Sequence, residues 1–418
     1  MTTVKRRTLL ALLAAGVTAT AVPQTAGASP PASTTAAPTA YRLVLPEPTG
    51  PYRIGTTELH LVDNSRVDPW VPGRKRELMI SVWYPAMPGA RGPRAPYAPP
   101  HAAVPLADQV GAVIGLKPGQ IDYAGTPTHA RTGVPSLGRH PVILYSPGMG
   151  TSRLMGTNHV EDLVSRGYVV VTMDHTGEAP VEFPGGRVAP AAMPNSQDVI
   201  KPATAVRVAD TRFVLDNLQR LEAGANPDSD HRRLPKGLGR ALDLRRTGMF
   251  GYSLGGFAAA ETMLVDRRID AGVNLDGTLQ YGHPDLELSE VAKQGLDRPF
   301  LLFASQHHTH LPQPGSPYED RSWVSFWQHQ RGWKLDLRLP EGTHGAFADF
   351  QFAVPGAAKA YGVPAAEVEA LLGNVDPDRS VAAQRAYLGA YFDQFLKGRP
   401  QRLLVKESPR YPDVEFVR

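Results

Sequence analysis

The sequence predicts an α/β chain, a mostly parallel and doubly wound sheet with helices on both faces. Three observations carry this prediction. Continuous apolar runs such as Pro141-Val142-Ile143-Leu144-Tyr145-Ser146 and Tyr168-Val169-Val170-Val171-Thr172-Met173-Asp174 leave no solvent face, as expected of strands covered on both sides. Other segments repeat apolar residues at helical spacing, as do Val206, Phe213, Val214, Leu218 and Leu221, which places one stripe of a helix against a core. Strand and helix alternate along most of the 418 residues, so functional groups should gather at the carboxyl ends of the strands.

The chain opens with Lys5-Arg6-Arg7, an apolar run from Leu9 to Val22, and Ala26-Gly27-Ala28. That is the layout of an export signal with a small-residue cleavage site, so residues 1–28 are expected to direct secretion and then be removed. The paired arginines point to a twin-arginine route. Removal of three basic and no acidic residues lowers the formal net charge from +4 to +1. Bulk charge therefore favours neither nucleic acid nor an anionic membrane as partner. With no cysteine in the chain, disulfides, thiol catalysis and thiolate metal sites are excluded.

Residues 29–40 are small, polar and Pro-containing, a flexible spacer that cannot bury enough apolar surface to order itself. A single catalytic domain is expected over 41–400. Its elements run in order as a strand at 79–84, a Pro- and Gly-rich excursion over 85–140 with one helix, and a strand at 141–146. A helix at 153–166 stopped by Gly167, a strand at 168–174 and a helix at about 203–221 follow. Beyond a short strand at 247–250 come strands at 269–275, 300–304 and 334–339 and a helix at 381–396. Residues 401–418 read as a polar tail.

The most informative segment is Gly251-Tyr252-Ser253-Leu254-Gly255-Gly256, between that short strand and the Ala-rich run from Phe257. A serine with glycines two residues to either side, at a strand-to-helix turn, is the nucleophile elbow of the α/β-hydrolase fold. The bend is too tight for side chains at 251 and 255, and it lifts the serine hydroxyl above the sheet edge. A hydroxyl is a poor nucleophile near neutral pH and needs a base and a group to orient that base. In this fold the chain order is Ser, acid, His. Asp276 closes the strand Ala271-Gly272-Val273-Asn274-Leu275 and is followed by Gly277; the end of the next strand, Ser305-Gln306-His307, offers no acid, and Asp297 precedes its strand. His344, in Gly342-Thr343-His344-Gly345, follows the last strand. Ser253, Asp276 and His344 are thus the candidate nucleophile, acid and base. Leu254 N–H and Met149 N–H, the latter in Pro147-Gly148-Met149-Gly150, are the candidate oxyanion donors.

These segments, with Val171-Thr172-Met173-Asp174-His175, Asn274-Leu275-Asp276-Gly277 and His344-Gly345-Ala346-Phe347-Ala348-Asp349-Phe350, resemble the plasma and type II platelet-activating factor acetylhydrolases over roughly 80–395. The resemblance implies an α/β-hydrolase acting without cofactor on short-chain acyl esters, phospholipid-like ones included, with the acid one strand earlier than in lipases and cutinases. Pro147 and Thr176-Gly177-Glu178 depart from the family pattern in the pocket. The partner is then a small-molecule or lipid ester, with transient lipid-surface contact; oligomeric state stays open. A lipase- or cutinase-like polyester hydrolase and an acyltransferase remain alternatives, whereas an intact Ser, Asp and His set argues against a non-catalytic binding protein. His307, His308 and His310 are expected in a solvated loop without metal, since no carboxylate stands beside them at ligand spacing. Trp323, Phe326 and Trp327 suit helix-core packing, an acyl pocket or a lipid-touching surface.

Overall fold

A run of parallel strands forms the centre of the computed structural model, in the spatial order Val169–Met173, His140–Ser146, Leu242–Tyr252, Ala271–Leu275, Phe300–Ala304, Lys334–Arg338. The structure describes residues 39–282, 287–316 and 318–418. The expected leader at 1–28 and the expected spacer, up to residue 38, lie outside the described residues. Successive side chains of each strand enter opposite layers, as the pleat requires. Tyr145, Phe250 and Phe303 pack with Tyr387, Tyr391 and Phe392 of the helix Pro377–Lys397. Their neighbours Leu144, Met249 and Leu302 pack with Val214 and Leu218 of the helix Ile200–Glu222 and Phe257 of the helix Leu254–Val265. Helices thus cover both faces of the sheet, in the α/β-hydrolase arrangement.

Beyond Val169–Met173 the sheet turns antiparallel. Lys75–Pro85 pairs with it, and Ile54–Val67 pairs with Lys75–Pro85. Ile54–Val67 leaves no strand signal in the sequence, since its polar and charged residues interrupt the apolar pattern where its far end is exposed. The excursion over 85–140 holds the expected helix, Pro100–Val113, and also short strands at Arg94–Pro96 and Pro127–Thr132. The helix expected at 153–166 spans only Thr157–Ser165. Before it, Asp174 holds the turn by accepting hydrogen bonds from Ser152 Oγ and Arg153 N at 3.0 and 2.7 Å.

Residues 401–418 do not trail away. Glu415–Phe416 adds an antiparallel strand beside Lys334–Arg338, and Leu404, Val414 and Phe416 are buried. Scattered apolar residues in a polar stretch lack a period of their own, so only the docking site reveals their use. Truncating Phe416 to Ala should destabilise the fold by about 3 kcal/mol, the usual scale for a buried Phe. Thermal denaturation checks this; an unchanged Tm would mean that the tail contributes nothing to the fold.

Candidate active site

The strand order reverses direction in sequence between His140–Ser146 and Leu242–Tyr252, and doubly wound sheets bind ligands at such a point. The loop carrying Met149 leaves the first strand there and Ser253 leaves the second. Ser253 has φ 55° and ψ −124°, a strained conformation for a non-glycine residue. The surroundings impose it. A Cβ at Gly251 would overlap the Gly255 backbone, one at Gly255 would overlap the Ser146 carbonyl, and one at Gly256 would strike the Asn274 side chain. The clash at 255 is thus with the adjacent strand rather than within the bend.

Asp276 also has positive φ, 57°. Asn274 Oδ1 accepts from Gly277 N at 2.9 Å and its Nδ2 donates to Gly277 O at 2.6 Å, clamping the turn around the aspartate. The structure brings the three side chains singled out in the sequence together: Ser253 Oγ lies 3.0 Å from His344 Nε2, and His344 Nδ1 lies 2.7 Å from Asp276 Oδ2. Asp276 is buried while His344 is half exposed, and the Tyr252 ring packs 4.8 Å from the imidazole. Burial alone would favour a protonated Asp276. Hydrogen bonds from His308 and His344, with their charge, outweigh it and hold the carboxyl well below the usual carboxylate range.

Leu254 opens the elbow helix, where a backbone N–H has no preceding helical carbonyl to meet. The Met149 loop is braced from below by Arg207, which donates to the carbonyls of Pro147 and Gly148 and pairs with Glu178 at 2.6 Å. Across a trans peptide, C=O and N–H point in opposite directions. Fixing Gly148 O on the guanidinium therefore turns Met149 N–H away from Arg207.

The chain is similar to known esterases. No family model matches the chain. A probable 1-alkyl-2-acetylglycerophosphocholine esterase of Arthroderma benhamiae is 30% identical over 406 residues, covering 90% of this chain and 94% of the relative. The chain belongs to the platelet-activating factor acetylhydrolase family. The platelet-activating factor acetylhydrolase of Cavia porcellus is 22% identical over 385 residues, 84% of this chain and 80% of that protein. A ferulic acid esterase from Streptomyces cinnamoneus has a similar structure, with a TM-score of 0.71, 38% identity, and coverage of 90% of this chain and 99% of that one. This member of the acetylhydrolase family is accordingly a carboxylic ester hydrolase.

Two parts of the esterase site were not foreseen. Below the Met149 loop, Ser146 Oγ lies 2.9 Å from His175 Nε2, and His175 Nδ1 lies 3.0 Å from Asp210 Oδ2. This second Ser, His, Asp series is closed to substrate: all three residues are buried, and Arg207 Nη1 covers the serine at 3.1 Å. Burial, then the Arg207 charge, lower the His175 pKa. Closed off from substrate, the series is structural. A signal existed in the sequence, because Arg207 and Asp210 share a helical stripe with the buried Ala203, Val214, Leu218 and Leu221, where charge is out of place unless paired.

The histidine cluster requires a correction. Of the three, His307 is exposed as expected, its ring stacked 4.0 Å from that of Tyr318, but His308 is enclosed between Asp276 and Asp320 and His310 is buried on Asp336 at 2.7 Å. The carboxylates come from other segments, so their absence beside the histidines in sequence was uninformative. Among the described residues no group of three or more His, Cys, Asp or Glu is arranged to hold a metal ion. Trp323 and Phe326 are buried and Trp327 is partly so, as expected for helix-core packing. Trp323 Nε1 also donates to Gly277 O at 2.8 Å, which ties its helix to the Asp276 turn.

Replacing Arg207 by Met leaves Glu178 buried and unpaired, which should cost about 3–5 kcal/mol. Adding Glu178→Leu should recover part of the lost stability while kcat stays low, because Met149 N–H is no longer aimed. Thermal melts and ester turnover together check this; wild-type kcat in the double variant would show that the brace does not position the loop.

Proposed function

We propose that Ser253, His344 and Asp276 are the catalytic triad of a secreted serine ester hydrolase acting on short-chain acyl esters, phospholipid-like ones included. The observation that carries this reading is the unbroken hydrogen-bond series from Ser253 Oγ through His344 to Asp276. His344 takes the serine proton as Oγ attacks the ester carbonyl, and Asp276 stabilises the resulting imidazolium. Leu254 and Met149 N–H meet the oxyanion. Collapse breaks the ester C–O bond, His344 passes its proton to the departing alcohol, and an acyl group remains on Ser253. Water, deprotonated by the same imidazole, then attacks that acyl-enzyme and releases the acid, returning the proton to Ser253. No cofactor enters these steps. The leader at 1–28 supports secretion.

A second reading, an ester of an aromatic acid, is favoured by the likeness to the ferulic acid esterase. A p-nitrophenyl ester chain-length series, run beside a short-chain phospholipid and a ferulate ester, separates the two; steepest preference for ferulate would displace the short-chain reading.

Ser253→Ala should lower kcat roughly 10⁶-fold with the melting temperature retained, and substantial residual turnover would refute the triad. Activity should also decline toward acid pH as the imidazole base takes up a proton. A rate that stays level from about pH 8 down to about pH 5 is incompatible with a histidine base.

A further inference from the structure

His308 lies on the far side of Asp276 from His344. Its Nδ1 is 3.1 Å from Asp276 Oδ1, its Nε2 is 2.7 Å from Asp320 Oδ2, and the Trp323 ring lies 3.8 Å from its own. A neutral imidazole carries one N–H, so its other nitrogen would turn a lone pair toward a carboxylate. With both carboxyls ionised, both contacts are satisfied only by the imidazolium. Burial disfavours that cation, but the bonds and charges of Asp276 and Asp320 outweigh burial and lift the pKa to about 10. Asp320 is drawn down in turn by His308, against its own burial. Asp276 therefore divides its oxygens: Oδ2 serves His344, while Oδ1 accepts from His308 and from Ser305 N at 2.7 Å.

We infer that His308 is a positioning residue for ester hydrolysis, a standing buried cation that pins the Asp276 carboxylate and withholds part of its charge from His344. The inference rests on the triad reading of Ser253, His344 and Asp276. A cation held against one oxygen of Asp276 makes a second cation at His344 harder to form. His344 then stays free to act as a base at lower pH, and it surrenders the serine proton more readily to the leaving alcohol. Besides Asp276 and Asp320, the titratable groups around the ring are His344, the His310 and Asp336 pair on the same side of the sheet, and Tyr252 beyond Asp276. No lysine or arginine is hydrogen-bonded to Asp276 or Asp320 among the described residues, so His308 is the cation that bonds both.

Two variants test this on a p-nitrophenyl ester. His308→Asn keeps an amide donor for Asp276 but removes the charge. Asp320→Asn keeps the cap that Asp320 supplies to Ser322 N and Trp323 N, since Asn caps helices as well as Asp, and frees His308 to become neutral while its Nδ1–H stays on Asp276. In both, the acid limb of the kcat/KM profile should move up by roughly 0.5–1 pH unit, as expected when a nearby buried cation is removed. In His308→Asn kcat near neutrality should also fall about tenfold, a part of what a well-placed base contributes, with KM little changed. Acid limbs that stay in place in folded variants, with only the melting temperature lowered, would overturn the inference and leave His308 a packing residue. If His308→Asn does not fold, the limb of Asp320→Asn decides alone. Survival of turnover in Ser253→Ala would instead remove the triad reading and this inference with it, whereas an active wild type with unmoved limbs removes the inference alone.

Discussion

Two of the three non-glycine residues at positive φ among the described residues, Ser253 and Asp276, set the terms for the rest of this molecule. Each such residue stores on the order of 1–3 kcal/mol of backbone strain, and the two belong to adjacent parallel strands of the same sheet. The strain persists because the surroundings leave no alternative. Gly251, Gly255 and Gly256 let helix and strands approach until a methyl group would not fit, and Gly277 sits so close that a Cβ there would overlap the Ser253 carbonyl. Ser253 N donates to Leu275 O at 2.8 Å, and Asp276 N to Phe303 O at 2.9 Å. Ser253 and Asp276 are thus bolted to each other through the strand ends, and only the imidazole of His344 between them comes from a more distant loop.

Charge beneath the site is arranged with the same economy. Arg207 faces Glu178, Arg76 faces Asp210 and Asp68, and Arg153 faces Asp174 and Glu58. Buried ions contribute little net stability when paired and cost several kcal/mol when one partner is lost. Their value lies in direction. Arg207 fixes two carbonyls of the Met149 loop, Asp174 fixes the turn after it, and Asp210 holds His175 in the tautomer that accepts from Ser146. The loop across the switch point is therefore braced from below.

Residue pattern carried the candidate site better than it carried the frame around it. Ser253, Asp276 and His344 were legible because each signal is local: glycines around a bend, an acid at a strand end, a histidine after the last strand. The buried strands were legible for the same reason, since an unbroken apolar run has few other uses. His308 was misjudged because its partners are brought to it by folding, Asp276 from the end of the preceding strand and Asp320 from the start of a helix. Its position just past a strand end was the usable clue, since that is where such sheets collect functional groups. Arg207 and Asp210 announced themselves only as charges on a core-facing stripe. Ile54–Val67 and the C-terminal strand escaped notice because each draws its apolar partners from elsewhere and shows little periodicity alone.

The sheet ends at one side in the three residues Arg94–Pro96 and at the other in the two residues Glu415–Phe416. Brief margins of this kind offer a foreign chain little backbone to zip onto. The second margin is a cover as well as an edge: without Glu415–Phe416, Lys334–Arg338 would present bare amides and carbonyls to any passing strand.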